Sequence, residues 1–187
     1  MENERKTDRS ADMGMDEHRL SDILLASQIK ATDIYETPPQ IIWIDNSTIA
    51  TLGNFSASTG KAKSKKTFNV SALVAASLAG KQVLNYRAHL PEGKQRILYV
   101  DTEQSRFHCR SVLERILRLA GLPTTTDPEN LDFFCLREYS PSVRVEVIDY
   151  ALRQQKGYGL VIIDGIRDLM LDINNAGESV EVINRMM

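Results

Sequence analysis

The sequence predicts an α/β protein with three layers, in which helices cover both faces of a mainly parallel sheet. Two short runs, RILYVD at residues 96–101 and GLVIID at residues 159–164, have apolar interiors, as strands buried on both faces must have. Stretches with apolar residues at helical spacing lie between such runs, and several of them end at a glycine. Short buried strands that alternate with amphipathic helices are typical of this fold class.

The individual elements are predicted in chain order from apolar spacing and turn residues. Residues 1–17 are polar and lack periodicity, which predicts a mobile leader. Residues 18–39 are predicted to form an N-terminal helix, over residues 18–30, and a linker that contains the helix-breaking prolines 38 and 39. The third segment, residues 40–187, is the predicted α/β domain. Its predicted strands are residues 40–44, 48–52, 96–101, 131–136 and 159–164, and its predicted helices are residues 67–79, 105–120 and 142–156.

The composition excludes several classes of protein. The 187 residues suffice for one domain, and 42% hydrophobic with 26% charged residues is the balance of a folded globular protein. A net charge of −2 argues against a protein that coats nucleic acid through bulk positive charge. The sequence has neither an apolar run of membrane-spanning length nor a secretory signal, so we expect a cytoplasmic protein without membrane contact. Cys109 and Cys135 lack metal-ligand spacing and are expected to be buried free thiols.

The segment before the helix at residues 67–79 carries the pattern of a phosphate-binding loop. Residues 60–67, GKAKSKKT, fit the frame G-x-x-x-x-G-K-[ST], with Lys65 where the second glycine is expected. Such a loop aims backbone N–H groups and a helix N-terminus at phosphate oxygens, while Lys66 would reach the β- and γ-phosphates and Thr67 would bind Mg²⁺. A side chain at position 65 is expected to strain the turn. The alternative interpretation is a solvated basic loop that only precedes a helix.

Two carboxylates follow predicted strands of the same sheet. Glu103 comes just after the strand at residues 96–101, and Asp164 ends the strand at residues 159–164. Ligands of open α/β sheets bind outside the carboxyl ends of the strands, so the loop, which lies between a predicted strand and a helix, and both carboxylates are expected to converge. One carboxylate could hold Mg²⁺ and the other could activate water. The alternatives are a strand-terminating turn at Asp164 and helix capping near Glu103.

Together the motifs GKAKSKKTF, LYVDTEQ and GLVIIDGIRDL resemble those of the RecA-like P-loop ATPases, most closely the AAA-family and plasmid RepA-type helicase-like ATPases of bacterial mobile elements. The resemblance covers about residues 40–187. It implies catalytic roles for Lys66 and for Glu103, the residue that activates water, and it implies Mg²⁺ held by Thr67 and Asp164. It also implies ATP hydrolysis by a homo-oligomer, a hexameric ring on single-stranded DNA, in DNA replication or mobilisation. The residues expected to contact the nucleotide are Gly60, Lys61, Ala62, Lys63, Ser64, Lys65, Lys66, Thr67 and Phe68.

The end of the chain and the lysines of the loop leave further expectations. RecA-like domains continue past this last strand, so the resemblance implies a C-terminally incomplete domain whose isolated chain binds and hydrolyses nucleotide weakly. A second possible function is a partition-type ATPase, in which Lys61 would reach across a dimer. A third is a non-catalytic domain that grips a nucleic-acid backbone through its lysines, with salt-sensitive binding. These lysines are Lys61, Lys63, Lys65 and Lys66.

Overall fold

The structure is a computed structural model that describes residues 10–61, 65–170 and 177. It divides into two units, Met1–Thr37 and Pro38–Met187. Within the first unit, helix α1 (Ser10–Ser27) begins earlier than the predicted start at residue 18 and ends before the predicted end at residue 30. Part of the predicted leader is therefore helical. Residues 1–9 of that leader and residues 178–187 at the end of the predicted domain lie outside the described residues.

A parallel three-stranded sheet forms the centre of the second unit. Its strand order is β5-β4-β6, in which β4 (Arg96–Asp101) pairs in parallel with β5 (Leu131–Cys135) and with β6 (Tyr158–Asp164). The register places Asp101 at the carboxyl end of β4 opposite Asp164 of β6. These strands agree with the predicted ones except for one residue at an end of β5 and of β6.

Helices cover both faces of this sheet, which confirms the predicted α/β fold class. On one face, Ile97 and Tyr99 of β4 share a buried cluster with residues of α2 (Lys66–Ala79) and α3 (Arg106–Ala120). On the other face, Leu98 and Val100 share a cluster with residues of α4 (Pro141–Gln154), because successive side chains of a strand point to opposite faces. None of the helices in the described part of the chain is long and apolar enough to span a bilayer. The helices of this unit are α2 (Lys66–Ala79), α3 (Arg106–Ala120), α4 (Pro141–Gln154) and a 3₁₀ helix (Ile166–Leu169).

A second, antiparallel sheet has the strand order β2-β1-β3. Its central strand β1 (Gln40–Ile44) pairs with β2 (Ser47–Thr51) and with β3 (Tyr86–Ala88). The first two strands confirm the predicted extended segments, with β2 shifted by one residue. The sequence analysis did not predict β3, because three residues are too few to show the alternation of a strand.

The strand before the candidate phosphate loop does not belong to the parallel sheet. The sequence predicted that the loop lies between a strand and a helix, and it does lie between the end of β2 at Thr51 and the start of α2 at Lys66. However, β2 pairs only with β1 of the antiparallel sheet among the described strands. Helix α2 therefore positions the loop, because its fully buried residues Val74 and Ala75 share a cluster with Tyr99 of the parallel sheet.

Candidate functional site

The candidate phosphate loop leads into the N-terminus of α2. The backbone carbonyl of Lys65 accepts hydrogen bonds from the N–H groups of Phe68 and Asn69, both at 3.1 Å. The Lys66 ammonium donates a hydrogen bond to the carbonyl oxygen of Gly60 at 3.2 Å, so the motif's first glycine and its lysine lie side by side. Lys61 and the side chains at positions 65, 66 and 68 are exposed. The predicted contacts Ala62, Lys63 and Ser64 lie outside the described residues.

Lys65 adopts the backbone conformation that the motif normally assigns to glycine. Its dihedral angles, φ 59° and ψ 27°, lie in the left-handed region, directly before the first residue of α2. A residue with a Cβ atom pays roughly 1–2 kcal/mol for this conformation. The strain predicted at this position is therefore present, and the turn keeps the shape that a glycine would give it.

Thr67 of the phosphate-loop motif and Asp164 of the strand motif GLVIID are in contact, although they are far apart in the sequence. The Thr67 hydroxyl donates a hydrogen bond to Asp164 Oδ2 at 3.2 Å, which joins the first turn of α2 to the carboxyl end of β6. The Tyr99 hydroxyl donates to the same oxygen at 3.1 Å. Burial and the neighbouring carboxylate raise the pKa of Tyr99 above its ordinary value, so this hydroxyl stays a protonated donor.

Glu103 lies on the loop that follows β4. The fully buried Asp101 carboxylate shapes this loop, because its Oδ1 accepts the N–H groups of Glu103 and Gln104 at 3.0 and 2.8 Å. Burial raises the pKa of Glu103 above its ordinary value, and three neighbouring carboxylates raise it further, against the opposite effect of Lys66. These carboxylates are Asp168, Asp164 and Asp101. Glu103 is therefore held among negative charges close to the lysine of the loop.

The ends of β4 and β6 are tied together at Gly165. The buried Thr102 hydroxyl donates to the carbonyl oxygens of Asp164 at 3.2 Å and of Gly165 at 2.8 Å. A Cβ atom built on Gly165, whose φ is 105°, would lie 2.7 Å from Glu103 Cγ and closer still to the Thr102 hydroxyl. Only glycine lets the two loops approach this closely. The predicted convergence of Glu103, Asp164 and the phosphate loop is thus present in the structure.

One comparison with known proteins assigns the chain to a family. A family model described as an AAA domain matches residues 20–186. The chain belongs to this family. The AAA domain is of the P-loop ATPase class, which is characterised by a nucleotide-binding loop of the kind that precedes α2. Neither the curated proteins nor the solved structures gave a match.

The oxygen atoms of Thr67 and Asp164 suit Mg²⁺. A hydroxyl and a carboxylate are hard oxygen ligands, and Mg²⁺ in nucleotide sites takes one or two protein oxygens while phosphates and water supply the rest. Within the described residues of the AAA domain, no three His, Cys, Asp or Glu side chains are grouped so that they could hold a metal ion by themselves. The donor set therefore fits a metal that arrives with a nucleotide rather than an all-protein metal cage.

Arg144 of α4 connects the loops that follow β5 and β6. Its guanidinium donates to the backbone carbonyls of Leu136 at 3.0 Å, of Arg137 at 2.6 Å and of Asp168 at 2.6 Å. The Asp168 carboxylate in turn accepts the Thr102 hydroxyl at 3.2 Å. Arg144 thus holds the carboxyl edge of the sheet together from the side away from α2.

The two cysteines of the AAA domain are free thiols, as predicted, although only Cys109 is fully buried and Cys135 is half-buried. Both sulfur atoms point to the carbonyl oxygen of Gln104, at 3.7 and 3.4 Å. Burial raises the pKa of the Cys109 thiol above its ordinary value, which disfavours the reactive thiolate. Both thiols pack against the loop that carries Glu103, through the carbonyl of Gln104.

The sequence analysis missed three side chains of this site. Tyr99 and Thr102 both lie within the run RILYVDTE, and their hydroxyl groups among apolar residues are the signal that could have identified them. Arg144 carries no such signal, because its three acceptors are backbone carbonyls of other segments. All three act through contacts between segments that are distant in sequence.

Proposed function

We propose that this AAA domain binds ATP with Mg²⁺ at the N-terminus of α2 and hydrolyses it. The observation that carries the proposal is the hydrogen bond of 3.2 Å from Thr67 to Asp164. It joins the hydroxyl of the phosphate-loop motif to the carboxylate that ends β6, which is the pair of oxygen donors that the chemistry requires. Membership of the AAA domain family supports a nucleotide-hydrolysing activity.

The residues of the loop would bind the phosphates. The backbone N–H groups of Lys66 and Thr67 open α2, and the N-terminus of a helix carries partial positive charge, so these groups would attract phosphate oxygens. The exposed Lys66 ammonium would exchange its contact with Gly60 for the β- and γ-phosphates. The nucleotide contacts proposed for this loop are residues 60–68. Bound Mg²⁺ would be held by Thr67 and Asp164 and would neutralise charge on the transferring phosphoryl group.

Glu103 is the proposed general base. Its side chain lies beside Gly165, and the charges of both Asp164 and Lys66 act on it. Its carboxylate would accept the proton of the attacking water and orient that water toward the γ-phosphate. The raised pKa of Glu103 makes its carboxylate a stronger base.

Two substitutions test these assignments. Lys66→Ala should weaken ATP affinity by about tenfold to hundredfold, as expected for the loss of a charged hydrogen bond. Lys94→Ala, a change of an exposed lysine elsewhere in the unit, should leave the affinity unchanged. Glu103→Gln should retain ATP binding and slow hydrolysis by about a hundredfold or more. Unchanged affinity of Lys66→Ala in equilibrium binding would refute the proposed site.

The narrower proposal is that the domain acts on single-stranded DNA as a homo-oligomer, hexameric by resemblance, in replication or mobilisation of a genetic element. It rests on the likeness of the three motifs to RecA-like, RepA-type ATPases. Single-stranded DNA should then stimulate ATP hydrolysis, and light scattering should detect a ring-sized assembly with ATP. A requirement for Lys61 in hydrolysis would favour a partition-type ATPase instead. Salt-sensitive DNA binding without ATP binding would favour a non-catalytic domain.

A further inference from the structure

Tyr99 is a fully buried tyrosine in the central strand of the parallel sheet. Its ring stacks on Phe133 of β5, with ring centroids 4.4 Å apart and planes inclined by 8°. Its hydroxyl donates to Asp164 Oδ2 at 3.1 Å. A buried tyrosine hydroxyl needs a partner, because burial without one is costly. Here the partner is the carboxylate of the proposed metal ligand.

The Asp164 oxygen that accepts Tyr99 also accepts Thr67. The two donors come from different elements, the interior of β4 and the first turn of α2. Thr67 lies directly after Lys66, so a change in the conformation of the phosphate loop would also move the Thr67 hydroxyl. Tyr99 lies in the core, and its stacked ring has little freedom to move. The tyrosine thus gives the carboxylate a fixed donor that does not depend on the state of the loop.

We propose that Tyr99 is a positioning residue, which fixes the orientation of the Asp164 carboxylate and thereby sets the affinity of the site for Mg²⁺. This inference rests on the proposed function, because it assumes that Asp164 holds the metal. Hydrogen-bonded partners of ligating carboxylates orient them, and their loss typically reduces metal affinity by about tenfold to a hundredfold. Tyr99 contacts neither the phosphates nor the water in this proposal and acts only through Asp164.

The test is Tyr99→Phe, which removes the hydroxyl and keeps the ring. Affinity for a fluorescent ATP analogue is measured in saturating Mg²⁺ and in EDTA, and the Mg²⁺ concentration for half-maximal binding is titrated. We expect unchanged affinity in EDTA, and a half-maximal Mg²⁺ concentration raised by about tenfold or more. In an Asp164→Asn background the same substitution should have no further effect on the Mg²⁺ dependence, because the group that it positions is altered.

Tyr158→Phe is the matched control. The Tyr158 hydroxyl also donates to a carboxylate, Asp132 Oδ2 at 2.6 Å, but at the opposite end of the parallel sheet. The control removes the same kind of hydrogen bond and should leave the Mg²⁺ dependence unchanged. A shift of equal size in Tyr99→Phe and Tyr158→Phe would overturn the inference, because the effect would then follow from general destabilisation.

A second pair of variants keeps the test decisive if Tyr99→Phe folds poorly. With 4-methylphenylalanine at position 99, the space of the hydroxyl is filled without a donor, whereas 4-aminophenylalanine restores a donor. Only the amino variant should approach the Mg²⁺ dependence of the natural protein. The role of Tyr99 is overturned if these two variants have the same Mg²⁺ dependence, or if Tyr99→Phe has that of the natural protein. Both conclusions require that the natural protein binds Mg²⁺ and ATP. Failure of the natural protein to bind them overturns the proposed function itself.

Discussion

Gly165→Ala is the substitution for which the structure gives the clearest expectation. Gly165 follows Asp164 and has φ 105°, and a Cβ atom there would lie 2.7 Å from Glu103 Cγ and closer to the Thr102 hydroxyl. Both neighbours belong to the loop after β4, and Thr102 is fixed by its hydrogen bonds to the carbonyls of residues 164 and 165. The added methyl group must therefore push the Glu103 loop away from the end of β6.

The magnitude follows from two separate effects. A side chain at strongly positive φ costs about 1–3 kcal/mol, and forcing an extra methyl group into packed surroundings costs about 1–3 kcal/mol. We expect Gly165→Ala to lower the free energy of unfolding by about 2–6 kcal/mol. Gly93 isolates the first effect, because its φ is 74° and a Cβ atom there would meet nothing within 4 Å. Gly93→Ala should therefore lose only the strain energy.

Urea denaturation followed by fluorescence measures both variants. The chain has one tryptophan, Trp43 of β1, so the signal has a single source. Hydrolysis should fall in Gly165→Ala, because Glu103 is displaced, and should persist in Gly93→Ala under conditions in which both are folded. Equal unfolding free energies for the two variants, with hydrolysis intact in both, would refute the close approach of the loops.

Three further predictions concern the surroundings of the site. Thr102→Val should lower the free energy of unfolding by about 0.5–1.5 kcal/mol, because it removes the hydrogen bonds of the buried hydroxyl to the carbonyls of residues 164 and 165, whereas Thr102→Ser keeps the hydroxyl and should lose less in the same denaturation assay. Lys65→Gly should raise stability by up to about 1 kcal/mol by relieving left-handed strain and should tighten ATP binding, while Leu84→Gly, at a φ of 54°, should affect stability alone. Burial and the hydrogen bond to Asp132 raise the pKa of Tyr158 from 10.0 to about 12, so the stability that this shift contributes is complete below pH 10 and is lost as the pH rises to about 12. Tyr158→Phe should flatten the decline of the unfolding free energy over that pH range, and a decline as steep as that of the natural protein would contradict the assignment.

The fold class and the positions of most helices and strands could be predicted from the sequence, because they depend on local patterns. Strands 96–101 and 159–164 are nearly continuous apolar runs, and the helices between them have the 3.6-residue period. Neither β3 nor the separate antiparallel sheet could be predicted in the same way. Strand β3 has three residues and is defined by its pairing with β1, which is a contact between distant segments.

The candidate site also has features that local motifs predict and features that depend on contacts between distant segments. The phosphate-loop motif and the two strand-end carboxylates are short local patterns, and their convergence follows from the rule that parallel strands end at one edge. The sequence also predicted strain at Lys65, because the motif places glycine there. It contained no sign that Tyr99 and Thr67 share one oxygen of Asp164, since each contact joins different elements.

By itself, the sequence determined the α/β class and the positions of most elements, and it predicted which residues would bind Mg²⁺ and phosphate. Local composition and periodicity are sufficient for these properties. Only the tertiary structure decided that the loop reaches the parallel sheet through α2, that Gly165 lets the Glu103 loop close on β6, and that a buried tyrosine holds Asp164. These properties depend on packing distances between segments that are far apart along the chain, and a linear pattern does not encode such distances.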